Sequence, residues 1–297
     1  SERAGTGSAG HPLARARAFW ELTKPGVTQF VVLTTAAGYY LAVPDPLEPL
    51  RLANTLLGTA LAAAGTNALN QAAEWRRDAV MRRTQRRPLP SGRLRPRAAW
   101  TFAWTISLAG IGHLARTVGV APALLVASSL VGYLCVYTPL KRRHPAALWV
   151  GALPGALPVW VGWTAAGRPL DAGACALLAI LFLWQLPHFL ALGWLHRDDY
   201  ARAGFVTLPT LDPDGRRTAR TAFTSAAALA ATSLSLTPLG LTGYGYLAAA
   251  AALGLAFLAC AAALGREPTP ARARTLFLAS VLYLPILLAA MTVGRAG

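Results

Sequence analysis

Long apolar runs separated by short arginine clusters constrain this chain more than any other feature. Nine such runs can be placed, at about residues 26–43, 52–73, 98–115, 118–138, 146–166, 173–195, 218–239, 243–264 and 275–294. Each approaches the roughly 20 apolar residues that a helix needs to cross a bilayer core. The 297 residues are 55% hydrophobic and only 13% charged, where a soluble domain carries about a quarter charged residues. A water-soluble enzyme and a disordered chain are both excluded on that ground. The expectation is an all-α membrane protein with nine transmembrane helices over residues 25–297. Residues 1–24 hold no apolar stretch of the secretory-signal kind and read as a flexible cytoplasmic N-terminal tail.

The net charge of +16 would suggest nucleic acid in a soluble chain. Its distribution argues otherwise, and no nucleic-acid partner is expected. If nine spans alternate sides, all of the 28 Lys and Arg except Arg51, Arg116, Arg168 and Arg295 fall on one side. The positive-inside rule then places the N-terminus and the basic loops in the cytoplasm and the C-terminus outside. Function should sit at the cytoplasmic face. The Ala/Arg/Gly/Pro-rich composition suggests a GC-rich bacterium, and hence a bacterial plasma (inner) membrane. Cys135, Cys175 and Cys260 lie inside apolar runs without a CxxC pair and read as small buried side chains. Pro154 and Pro158, four apart inside one span, would break a soluble helix. In a membrane bundle they suggest backbone satisfied by neighbouring helices around a cavity.

The second run ends in Asn67-Ala68-Leu69-Asn70-Gln71-Ala72-Ala73-Glu74-Trp75-Arg76-Arg77-Asp78. Asn70, Glu74 and Asp78 recur at i, i+4 and i+8, which puts them on one helix face about 6 Å apart along the axis. Oxygen ligands in such a stripe suit Mg²⁺, which takes one or two carboxylates and completes its shell with water and phosphate. A solvated helix end paired with arginines is the plainer reading. Arg82, Arg83, Arg86 and Arg87 follow at once in a loop broken by Pro88, Pro90 and Gly92. Guanidinium groups beside carboxylates are what a metal–diphosphate site requires.

A second polar cluster closes the sixth run. His188 and Gln185 lie within the span, where ionisable or polar groups usually face a cavity. His196, Asp198 and Asp199 sit at its exit, at the expected depth of Glu74 and Asp78. Two acidic helix ends on one side could share cations around a diphosphate; helix-end solvation is again the bland alternative. Tyr137-Thr138-Pro139-Leu140-Lys141-Arg142-Arg143 adds three cations at the same face. Asp212 and Asp214 read as a turn without chemistry.

These segments resemble the UbiA-type intramembrane prenyltransferases, and within them the branch that prenylates heme. The resemblance runs nearly end to end. It rests on Leu22-Thr23-Lys24-Pro25-Gly26, the Asn70 cluster, Asp78-Ala79-Val80-Met81-Arg82-Arg83-Thr84, Arg87-Pro88-Leu89-Pro90-Ser91-Gly92-Arg93, Tyr137-Thr138-Pro139-Leu140-Lys141-Arg142 and Pro187-His188-Phe189. It implies nine helices around a central lipid-accessible cavity with a polar cytoplasmic cap. It implies farnesyl diphosphate and heme B as substrates, heme O and diphosphate as products, and Mg²⁺ as the bridging cation. By position, Asn70, Glu74 and Asp78 correspond to the first acidic motif. His196 and Asp199 fall at the second, so the implied metal set is Asn70, Glu74, Asp78 and Asp199. Asn67, Arg82, Arg83, Arg86, Arg87, Lys141, Arg142, His196 and Asp198 are the implied substrate contacts, and His188 is the branch's own histidine. Trp160, Trp163, Trp184 and Phe189 are candidates to shield an allylic cation. Heme A synthase is an expected partner.

Departures also appear. The family usually has Asp where this chain has Glu74, and often a further Asp where it has Arg76. Gln185-Leu186 replaces a usual Thr-Pro. Another UbiA-type enzyme acting on an aromatic acid such as 4-hydroxybenzoate is the nearest alternative. A transporter of an anionic amphiphile and a structural oxidase subunit are alternatives of other classes.

Overall fold

The computed structural model describes residues 12–43 and 47–295. Among them the chain is all-helical, apart from an isolated bridge between Thr242 and Arg295. The helices are α1 (Pro12–Leu22), α2 (Pro25–Ala42), α3 (Pro49–Asp78), α4 (Pro96–Thr117), α5 (Val120–Val131), α6 (Thr138–Leu140), α7 (Ala147–Ala165), α8 (Ala172–Leu195), α9 (Arg197–Arg202), α10 (Arg216–Leu234), α11 (Tyr244–Arg266) and α12 (Pro270–Val293). A π-helical turn, Gly132–Tyr137, joins α5 to α6 without a break. A helix stands at each of the nine expected positions. Five are long and apolar enough to cross a membrane: Val120–Leu140, Ala147–Ala165, Ala172–Leu195, Tyr244–Arg266 and Pro270–Val293. The other four, α2, α3, α4 and α10, are not among these five; α3 alone carries Asn67, Asn70, Glu74 and Asp78.

Residues 12–22 correct the expectation of a flexible lead-in; the rest of that tail, including Arg3 and His11, lies outside the described residues. Ala18 and Leu22 recur four apart and bury in a cluster with Leu69 and Ala72 of α3. Gln71 Nε2 donates to the Leu22 carbonyl at 2.8 Å, and Arg93 pairs with Glu21 at 2.6 Å. An apolar stripe with partners on both flanks orders a helix that composition alone leaves unassigned.

The bundle closes through two sets of neighbours. α3 packs on α2 and α4, α5 on α4 and α7, and α7 back on α2. α8 packs on α7, α10 and α12, with α11 between α10 and α12. Small residues set the closest approaches, as expected where lipid supplies no hydrophobic drive between helices. A Cβ on Gly162 of α7 would overlap the Thr35 carbonyl oxygen of α2, and one on Gly38 of α2 would overlap the Val159 carbonyl oxygen. Pro158 leaves the Pro154 carbonyl without its helical donor, and Ser129 Oγ donates to that oxygen at 2.9 Å.

The basic loops gather at one end. Arg77 Nε donates to the Ala203 carbonyl at 3.2 Å, and Val206 N to the Lys141 carbonyl at 2.9 Å. At the opposite end Arg51 donates to the carbonyls of Ala165 and Val118, and Arg295 to that of Val43. The segregation read from the sequence is therefore a real polarity of the bundle. The cysteine expectation fails: Cys135 and Cys175 are exposed and Cys260 half-buried. They sit on outward helix faces, where a weakly polar thiol suits lipid.

Candidate active site

A cavity of about 720 Å³ runs into the bundle from the basic end. One face of α3 supplies its spine: Thr59, Ala63, Thr66, Asn67, Asn70, Glu74 and Asp78 all line it. Their spacing keeps them on a single stripe for about five turns. Farther from the polar residues the walls are apolar, with Phe30, Leu181 and Trp184 among them. Val27, Phe189 and Val281 line the cavity and are also exposed on the outer surface. The cavity thus opens sideways between α2, α8 and α12.

The polar end is densely connected. Asn70, Glu74 and Asp78 are all buried. Lys141 Nζ lies 2.6 Å from Glu74 Oε2, and Arg87 Nη1 lies 2.8 Å from Asp78 Oδ2. Asn70 Nδ2 donates to Glu74 Oε2 at 3.2 Å and to Thr138 Oγ1 at 3.3 Å, and Asn70 Oδ1 accepts from Lys24 Nζ at 3.2 Å. Glu74 Oε1 is buried without a partner. Such an orphan costs free energy unless something else meets it. Lys24, Arg83, Arg87 and Lys141 line the cavity against only Glu74 and Asp78, an excess of positive charge. Burial, and then the charges of Arg87 and Lys141, push the Lys24 ammonium down to about 7. An anion at this end relieves that repulsion.

Sequence reasoning undervalued four contributors. Lys24 looked like tail charge, yet it turns the chain into α2 with φ of 47° and reaches Asn70; the Lys-Pro step is its only signal. Tyr133, Tyr137 and Phe205 line the cavity. The π-helical turn, a feature frequent at functional sites, carries both tyrosines, and Thr138 just after it accepts from Asn70. Lys141 Nζ also stands 4.8 Å from the Phe205 ring and 5.0 Å from the Tyr137 ring.

The structure sorts the remaining candidates. Asn67 lines the cavity and donates to Thr28 Oγ1 at 3.3 Å. Arg82 and Arg86 are exposed and, unlike Arg83 and Arg87, do not line it. Arg142 Nη2 donates to the Ala73 carbonyl at 3.4 Å, while its Nε is buried without a partner. His188 lines the cavity. The exit of α8 does meet the tip of α3, since Met81 packs with Ala203 and Phe205. The cavity is lined there by Tyr200 and Phe205, and not by His196, Asp198 or Asp199. Asp199 is buried and paired with Arg202, and Asp198 is exposed beside Arg197. Burial, then the Arg83 charge, holds His196 below the usual imidazole range. Arg76 stacks its guanidinium on Trp75 at 5.3 Å and stays out of the cavity. Trp184 and Phe189 line the cavity. Trp160 and Trp163 do not; their indoles donate to the carbonyls of Ala174 and Pro169 in the packed core. Asp212, read as a plain turn residue, is buried and accepts from the Thr218 amide at 2.7 Å.

A helical bundle with a laterally open apolar cavity and a cationic, carboxylate-bearing mouth suits an amphiphile with an anionic head. The sequence profile of the UbiA prenyltransferase family matches residues 31–284, and the chain belongs to that family. It is 42% identical over 290 residues to the protoheme IX farnesyltransferase of Solibacter usitatus, covering 95% of this chain and 99% of that one. It is 45% identical over 275 residues to the protoheme IX farnesyltransferase of Anaeromyxobacter sp. (strain Fw109-5), covering 92% of each. Among solved structures, one of digeranylgeranylglyceryl phosphate synthase aligns with a TM-score of 0.79 at 17% identity, over 94% of this chain and 98% of that one. A UbiA homolog from Archaeoglobus fulgidus bound to GPP and Mg²⁺ aligns with a TM-score of 0.72 at 15% identity, over 92% and 99%.

Proposed function

We propose that the chain transfers the farnesyl group of farnesyl diphosphate to a vinyl group of heme B, giving heme O and diphosphate. The observation that carries this reading is the polarity of a single cavity: cations and buried carboxylates at its mouth, apolar and aromatic walls within. An allylic diphosphate has the same polarity, a highly charged head on an apolar chain. The relatives over 40% identical named above are protoheme IX farnesyltransferases, which selects the acceptor.

The allylic C–O bond breaks when the leaving diphosphate is neutralised in place. Lys24, Arg87 and Lys141 supply fixed positive charge there, preorganised by their bonds to Asn70, Asp78 and Glu74, and Arg83 adds a further cation to the lining. Glu74 and Asp78, with Asn70, are the residues that would hold Mg²⁺. The partnerless Glu74 Oε1 and the all-oxygen donor set fit that cation, which needs only one or two carboxylates. Bound there, Mg²⁺ would further neutralise the leaving diphosphate. Among the described residues no three His, Cys, Asp or Glu side chains form a metal cluster of their own. Asp199, engaged by Arg202 and outside the cavity lining, is left out of that donor set.

Trp184, Phe189, Tyr133 and Tyr137 exclude water from the allylic cation and offer π-faces to it. The heme vinyl carbon attacks that cation. Water then adds to the porphyrin-side cation and a proton is lost, leaving the hydroxyethylfarnesyl group. The porphyrin propionates fit the basic end, where Arg86, Arg142 and Arg143 stand. On this reading the helices at the nine expected span positions cross the bacterial plasma membrane, with the N-terminus and the basic end in the cytoplasm, and a heme A synthase is the partner that would consume heme O. Purified chain given farnesyl diphosphate, heme B and Mg²⁺ should release diphosphate and yield a farnesylated heme by mass spectrometry. A prenylated 4-hydroxybenzoate, with no heme product, would overturn the acceptor.

A further inference from the structure

His188 is built into the cavity wall in a way that diphosphate chemistry leaves unused. Its Nδ1 lies 2.8 Å from Ser280 Oγ of α12. The single proton of that hydroxyl is already committed, because Ser280 Oγ donates to the Phe277 carbonyl at 2.5 Å, one helical turn back. Ser280 can therefore only accept from His188, so Nδ1 carries the proton and Nε2 carries the lone pair. Nε2 has no hydrogen-bond partner among the described residues, and His188 lines the cavity. The ring is held on several sides. It stacks on Trp184 at 5.1 Å, tilts against Phe277 at 4.9 Å and meets the edge of Phe189 at 5.3 Å. Trp184 Nε1 donates to the Ser280 carbonyl at 2.8 Å, which ties α8 to α12 at this level. A fixed imidazole with its Nδ1–H on an acceptor and its Nε2 bare is the arrangement that supporting residues impose on metal-binding histidines. It is also how a proximal histidine meets heme iron.

We propose that Ser280 is a positioning residue that fixes the tautomer of His188, so that Nε2 ligates the iron of the porphyrin substrate and sets the depth at which its ring plane stands in the cavity. This rests on the heme reading above and deepens it. The test compares two probes, heme B and metal-free protoporphyrin IX, on the full chain in detergent. His188→Gly should weaken heme B binding at least tenfold and shift its Soret band, while metal-free porphyrin affinity changes less than twofold. Added imidazole should restore the wild-type band. Ser280→Ala should weaken heme B severalfold with the same selectivity for the metallated ring, and Ser280→Thr should recover it. An unchanged heme affinity and Soret band in His188→Gly, in a chain whose wild type still makes farnesylated heme, would overturn the ligation and leave the proposed function standing. Equal loss of both porphyrins would reduce His188 to a wall residue. A wild-type chain that makes no farnesylated heme from heme B removes the substrate reading and the ligation together.

Discussion

At the residue scale the account turns on Glu74. Its Oε2 is shared by Lys141 and Asn70, while its Oε1 is buried and unmet. Glu74→Gln keeps the shape and removes the charge. Turnover should fall about 10²–10³-fold, as when one preorganised electrostatic group is lost. Circular dichroism of the purified variant should stay that of the wild type. Lys24→Met should act differently, raising the KM for prenyl diphosphate about tenfold or more in steady-state assays, since it removes one charge-assisted contact at the mouth. The stripe of Asn70, Glu74 and Asp78 was legible in the sequence because helical spacing alone puts the three on one face. The relation of Asp199 to the cavity was not legible. Whether a carboxylate at a helix tip turns into the cavity or onto Arg202 depends on the path of the following loop, which no spacing rule encodes. Trp160 and Trp163 failed for a similar reason: an aromatic in an apolar run carries no mark of which side of the helix holds the cavity.

At the element scale helix positions were readable, because each apolar run is long and the basic clusters mark its ends. The exceptions are instructive. α1 escaped because an amphipathic helix of 11 residues has too little apolar length to stand out. The π-helical turn escaped because one added residue per turn leaves the apolar pattern of Gly132–Tyr137 unchanged. Gly162 sits where α7 presses on the backbone of α2 at Thr35. Gly162→Ala should destabilise the protein by about 1–3 kcal/mol, the range for overpacking a tight contact. A lowered melting midpoint in detergent, with little change in KM, would check it. At Pro158 the bundle repairs its own backbone as expected, since Ser129 donates to the Pro154 carbonyl that this proline frees. Ser129→Ala should lower the same midpoint by removing that donor, about 0.5–1.5 kcal/mol of stability.

At the scale of the whole molecule, one end gathers the cations and the other has few. Arg51 and Arg295 at the poor end are spent on carbonyls that close helix ends, while Lys24, Arg83, Arg87 and Lys141 at the rich end face a cavity. The same asymmetry gathers charge for the anionic substrate proposed above. Chelation should expose the division of labour: EDTA should abolish diphosphate release and Mg²⁺ should restore it, because protein cations alone leave the leaving group under-neutralised. The most direct test of the central claim is the heme content of cells expressing the chain in a host that makes no heme O. Reverse-phase chromatography with mass detection should show a new heme carrying one farnesyl group and one hydroxyl, reduced at least a hundredfold with Glu74→Gln. Heme B as the sole heme, from cells in which the wild-type chain is folded in the membrane, would contradict the account.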